Sequence, residues 1–181
     1  MKIIKIILIS FIILIAIILL VALFIPKHYK LERSIVIQCP KDSVFNYIKH
    51  LKTQNEYSVW GKMDPNWKTN FTGVDGTVGF VSAWESEVKN VGTGSQTITK
   101  IVESEFIETR LNFEKPFKAV NYTQISTTAI DATNTKVTWG FNGSYPYPMN
   151  IMKLVFNMEK LIGKDFESGL QNMKAILEKN N

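Results

Sequence analysis

Residues 149–181 contain no proline, and within them Ile162, Phe166, Leu170, Met173 and Leu177 follow one another at steps of 4, 4, 3 and 4. That spacing aligns five apolar side chains on one side of a helix, which then needs a single broad partner surface. The preceding stretch, residues 67–143, supplies only strands. "WKTNFTGV", "VGFVSAWE", "GSQTITKIVE", "FIETRLNFE", "FKAVNYTQISTTAI" and "TKVTWGFNG" alternate apolar with polar residues. Turn residues part them at Asp75-Gly76, Asn90 with Gly92, Lys115-Pro116 and 131–134. Connections so short leave no room for crossovers, so the sheet is an antiparallel meander. Upstream, "HYKLERSIVIQCP" adds a strand marked by Leu31, Ile35 and Ile37, and "KDSVFNYIKHLK" a short helix with Asp42 or Ser43 as its cap. The order predicts an α+β fold in which a curved sheet buries a long helix from Met149 onward, with Gly163 the place for a bend.

A second feature stands apart from this unit. Across residues 6–25 only Ser10 interrupts a run of apolar side chains, with Lys2 and Lys5 ahead of it and Lys27 and Lys30 behind. Twenty such residues as a helix reach about 30 Å, the thickness of a bilayer's hydrocarbon core. The run is longer than the roughly 7–15 residues of a signal-peptide core, and no small-x-small cleavage site follows it. The expected organisation is therefore a single-pass membrane anchor at 1–26 and a folded domain at 27–181. Similar positive charge on both flanks leaves the side of the membrane open.

Charge and cysteine content remove other classes. Lys2 and Lys5 aside, 19 basic residues stand against 16 acidic ones and lie scattered, which is no nucleic-acid footprint. The lone Cys39 rules out an intrachain disulfide. His28, Cys39 and His50 have no metal-ligand spacing, and no nucleophile elbow or dinucleotide loop is present, the glycines at 73, 76 and 79 lying in a hairpin turn. No cofactor is expected. The triplets at Asn70, Asn121 and Asn142 fit a glycosylation acceptor but are too short to carry weight.

"ERSIVIQCPKDSVFNYI", "WGKMDPN", "SAWES", "GTGSQTI", "TKVTWGF" and "YPMNIMKLVF…IGKDFESGLQNMK", over roughly residues 28–181, resemble the START-related, birch-pollen-allergen-like superfamily, also called SRPBCC or polyketide cyclase/dehydrase-like. The resemblance implies a helix-grip fold: seven antiparallel strands wrapping the C-terminal helix around an apolar cavity. It implies no shared catalytic set. One departure is Ser86, where relatives often carry glycine after Trp-Glu, which implies a gentler bend.

Strand alternation then sorts the side chains. Val78, Phe80, Ser82 and Trp84 share an inward face and Glu85 the outward one. Trp67, Phe71, Ile107, Leu111, Phe113, Val137, Trp139 and Phe141 form the other inward rows, with Met152 and Phe156 facing them from the helix. The candidate ligand-binding set is Trp67, Phe71, Phe80, Trp84, Leu111, Phe113, Tyr122, Trp139, Phe141, Met152 and Phe156. The same aromatics would also serve as plain core. Lys164, Asp165 and Glu167 flank Phe166 and belong to a solvated face. Three functions fit: a membrane-tethered domain holding a hydrophobic small molecule or lipid, a cyclase or dehydratase using an inward Tyr122, Gln124 or Thr138, and a protein-interaction module without ligand.

Overall fold

The computed structural model describes residues 2–179, so the outermost residues of the 1–26 and 27–181 segments lie outside it. The apolar run forms helix α1 (Lys2–Phe24), and strand β1 (His28–Ile37) follows. Three short helices come next, α2 (Lys41–Ile48), α3 (Leu51–Tyr57) and α4 (Trp60–Met63). Strands β2 (Lys68–Thr72), β3 (Val81–Glu85), β4 (Thr93–Val102), β5 (Phe106–Lys115), β6 (Ala119–Ala129) and β7 (Thr135–Ser144) complete the sheet. A 3-10 helix (Met149–Leu154) leads into the closing helix α5 (Met158–Lys179).

All seven strands join one sheet in the order β1-β7-β6-β5-β4-β3-β2, and every pairing is antiparallel. The first strand thus returns to the last one made, with His28 opposite Ser144 and Ile37 opposite Thr135. The stripe of α5 is buried as its spacing required: Phe166, Leu170, Met173 and Leu177 lie in the core. This is an α+β helix-grip fold with an apolar helix ahead of it.

The two ends of the grip differ. At one end α2 inserts Val44, Phe45 and Ile48 against Ile37, Ile98, Ile107, Ile125 and Val137, and Met173 and Leu177 close the gap. Side chains of this kind fill space without polar cost, and this end is solid. Trp139 marks the transition, its ring 4.5 Å from Phe166, 5.6 Å from Tyr57 and 6.4 Å from Trp60. Gly169 lets α5 approach this close, since a Cβ there would stand 2.9 Å from the Trp139 ring. A second clasp holds the start of α5 to β1. Arg33 donates to Glu167 at 2.6 Å and to Glu159 at 3.1 Å, passing over Gly163, where a Cβ would leave the guanidinium 2.7 Å away.

Several expectations are corrected. The closing helix does not run from Met149: residues 149–154 wind as a 3-10 helix, and α5 starts after Asn157, whose Oδ1 accepts from the Lys160 amide at 3.2 Å. From there α5 continues through Gly163. Helix α2 starts at Lys41 behind Pro40, and the Asp42 carboxylate accepts from Ser104 instead of capping. Val78 is exposed, because the turn before β3 holds Gly73, Gly76 and Gly79 at positive φ and alternation begins only at Val81.

Candidate functional site

Beyond Trp139 the sheet and α5 diverge and enclose a cavity of about 390 Å³. Its floor is the concave face of the sheet, where Trp84, Leu111, Phe113 and Phe141 alternate inward on β3, β5 and β7. Met158, Ile162 and Phe166 of α5 form the roof, and Leu51, Trp60 and Trp67 the wall. The mouth is framed by Val91 and by Pro116 and Phe117 in the β5–β6 turn, where the Phe117 side chain stands 81% exposed.

Trp84 is fixed from three sides. Its indole donates to the Val91 carbonyl at 3.1 Å, Phe113 meets it edge-on at 5.8 Å, and it lies over Gly94 of β4, its cross-strand partner. A Cβ on Gly94 would come within 2.8 Å of that ring, so glycine there gives the tryptophan its seat. Glu85 faces outward and is exposed. Ser86 ends the strand, turning its hydroxyl to the Asp64 carboxylate and its amide to the Gly92 carbonyl.

The floor also carries a polar band. Gln96 Nε2 donates to the Thr109 hydroxyl at 2.9 Å, and Thr109 shares a 2.6 Å hydrogen bond with its cross-strand partner Thr123. Beside them the Tyr29 hydroxyl donates to Asn121 Oδ1 at 3.0 Å across Gly143, which has no side chain to obstruct the pair. Gln96, Asn121, Thr123 and Tyr29 all line the cavity. Burial, with Tyr145 as the lesser cause, pushes the Tyr29 phenol up to about 12, so it stays a neutral donor. Among the described residues the lining holds no carboxylate, histidine or cysteine; Lys115 at the mouth is its one ammonium group. No cluster of three metal-ligating side chains is found among the described residues.

Of the eleven candidate ligand-binding residues, Trp67, Trp84, Leu111, Phe113, Trp139 and Phe141 line the cavity. The other five stand elsewhere. Phe80 is buried in the packed core, stacked at 6.0 Å on Phe71, while Phe71 itself is exposed on edge strand β2 beneath the Lys52 ammonium. Tyr122 is 52% exposed on the convex face, because Asn121, Thr123, Ile125 and Thr127 take the inward positions of β6. Gln124 shares the outward parity of Tyr122, and Thr138 bonds Ser34 on the outer side of β7. Met152 and Phe156 precede α5 and do not reach the cavity. Asp165 is half-buried rather than fully solvated, and that burial raises its carboxyl above the ordinary range.

The family model described as polyketide cyclase / dehydrase and lipid transport matches residues 28–178. No curated protein matches the chain. Among solved structures, norcoclaurine synthase from Thalictrum flavum, determined with dopamine and hydroxybenzaldehyde, aligns at TM-score 0.64 and 8% identity, covering 85% of this chain and 88% of its own. A structural-genomics protein from Nitrosospira multiformis aligns at TM-score 0.58 and 16% identity, over 82% and 96%. The Aha1 protein from Colwellia psychrerythraea, solved as a dimer, aligns at 0.57 and 10%, over 83% and 96%. At such identities the likeness is one of fold.

Proposed function

The chain belongs to the polyketide cyclase/dehydrase and lipid transport family, and from that premise we propose that its folded domain binds one hydrophobic small molecule or lipid between the sheet and α5. The cavity carries this reading: about 390 Å³, walled by aromatic and aliphatic side chains, is within the range that holds a small organic ligand. The polar band adds direction. A ligand with an apolar body and one hydrogen-bonding end would bury the body against Trp84, Phe113 and Phe141 and set its polar end on Asn121 and Gln96. Binding is favoured over turnover because, among the described residues, the lining holds none of the carboxylates and histidines that most often move protons, and Tyr29 holds its own proton too firmly to give it up near neutrality.

Helix α1 is the anchor in this reading. Its 23 residues extend roughly 35 Å at 1.5 Å each, and its apolar side chains are exposed along nearly the whole length. The tether would keep the cavity beside a source of apolar ligand.

The test is energy transfer from the cavity tryptophans to a fluorescent fatty acid added to the purified full chain in mild detergent. Saturable transfer, competed by unlabelled amphiphile and abolished by Ser82→Trp, which fills the floor, is expected. A wild-type chain that binds no amphiphile, or a Ser82→Trp chain that binds equally well, overturns the reading.

A further inference from the structure

We propose that the segment from Tyr147 to Leu161 docks on the surface of an anionic lipid bilayer beside the point where α1 leaves it; this rests on the reading of α1 as a membrane anchor. The segment is strapped to the last turns of that helix. Asn150, fully buried, donates from Nδ2 to the carbonyl of Ala22 in the last turn at 2.6 Å, where the Ile25 amide also bonds, and to that of Ile25 just past the helix at 2.7 Å. The Tyr147 hydroxyl donates to the Leu19 carbonyl at 3.4 Å. Leu19 lies six residues before the end of the apolar run, roughly 9 Å along the helix axis. A group that reaches Leu19 from outside therefore sits at or below the level where the run meets water, the depth at which tyrosines concentrate in membrane proteins.

What the strapped segment shows to its surroundings matches that depth. Leu154 is 67% exposed, Val155 72% and Leu161 55%, and Phe156 is open beside them. Val74 and Val78 in the β2–β3 turn are as exposed, but only this patch is strapped to α1, where a lipid surface covers it without a second protein. The charge agrees. Lys27 stands three residues past the end of α1, Lys153 bonds the His28 carbonyl, and Lys160 lies in the first turn of α5. Arg33 pairs with the acidic neighbours Glu159 and Glu167 and offsets one of their two charges, so the three lysines outweigh the one that remains and favour anionic headgroups. The arrangement has a consequence for the cavity. Met158 and Ile162, on the same stretch of α5, form part of its roof, so a docked segment turns that side of the cavity toward the acyl chains.

The experiment uses the full chain in nanodiscs of phosphatidylcholine and phosphatidylserine, with a polarity-sensitive fluorophore on single introduced cysteines; native Cys39 is buried. Three probes suffice: Val155→Cys on the segment, Ile15→Cys within α1, and Ile130→Cys at the far β6–β7 turn. Blue-shifted emission and quenching by lipid-borne nitroxide are expected at Val155 and Ile15 and absent at Ile130. Quenching at Ile15 with a water-exposed Val155 overturns the docking while the anchor stands. No quenching at Ile15 sinks both. A Val155 probe shielded from both water and lipid also overturns the docking, by showing a protein partner. Equal quenching of Val155 in purely zwitterionic discs overturns the requirement for anionic lipid.

Discussion

Gly143→Ala tests whether the polar band is a built feature. Gly143 sits opposite Tyr29 in the β1–β7 ladder, and a Cβ there would overlap the Tyr29 hydroxyl and Asn121 Oδ1. The ring has little freedom to retreat, with Tyr145 at 5.3 Å and Phe141 at 6.1 Å on its flanks. Losing the Tyr29–Asn121 hydrogen bond costs about 1 kcal/mol. Overpacking of a tight site costs about 1–3 kcal/mol more. The sum, about 2–4 kcal/mol, lowers Tm by roughly 4–16 °C at about 2–4 °C per kcal/mol for a chain of this length. Gly140 on the same strand is the internal control, because a Cβ there meets nothing nearer than Glu32 Cγ at 3.5 Å, an ordinary contact. Gly140→Ala should gain about 0.5–1 kcal/mol from reduced chain entropy. Circular dichroism melts of the two variants in one detergent should move in opposite directions, and Gly143→Ala should also weaken amphiphile binding by pushing Asn121 out of its place on the cavity floor. Equal shifts, or a Gly143→Ala chain as stable as wild type, would refute the steric argument.

Two further outcomes follow from the same geometry. Trp139→Ala removes the side chain joining Tyr57, Trp60 and Phe166 and should cost about 3–5 kcal/mol by urea midpoint, whereas exposed Tyr122→Ala should stay within about 0.5 kcal/mol and leave ligand binding unchanged. Burial raises the Tyr29 phenol to about 12 from 10.0, so its contribution is complete below pH 10.0 and lost as pH rises through about 12. Tyr29→Phe should flatten the fall in stability across that interval in alkaline unfolding curves; an unchanged slope refutes it.

The parts of the fold that were legible are those where apolar residues mark the buried face. On β7 the row Val137, Trp139 and Phe141 is buried throughout, and the α5 stripe packs as its period requires. Strand β6 misled for the opposite reason. Its inward positions include Asn121, Thr123 and Thr127, while Val120 and Tyr122 face water, so alternation weighted by apolarity points the strand backwards. Ile125, fully buried between them, was the available sign of the true parity. At Asn121 and Thr123 the inversion arises from the cavity, whose floor is polar there, while Thr127 points inward with its hydroxyl on the Ser104 carbonyl. The 3-10 helix escaped because nothing in residues 149–157 breaks a helix by composition; its path is set by Asn150 bonding to α1, a contact between segments some 125 residues apart.

The ladder order has a consequence for how the chain assembles. Strand β1 is made first among the strands, yet its only neighbour in the sheet is β7, and His28 pairs with Ser144 more than a hundred residues later. Until that segment leaves the ribosome, β1 exposes an unpaired edge, and α5, which packs on β1, has not been synthesised. Local hairpins from β2 to β7 can form in sequence, but the grip cannot close around β1 until the last third of the chain is made, and that closure carries the entropy cost of one long loop.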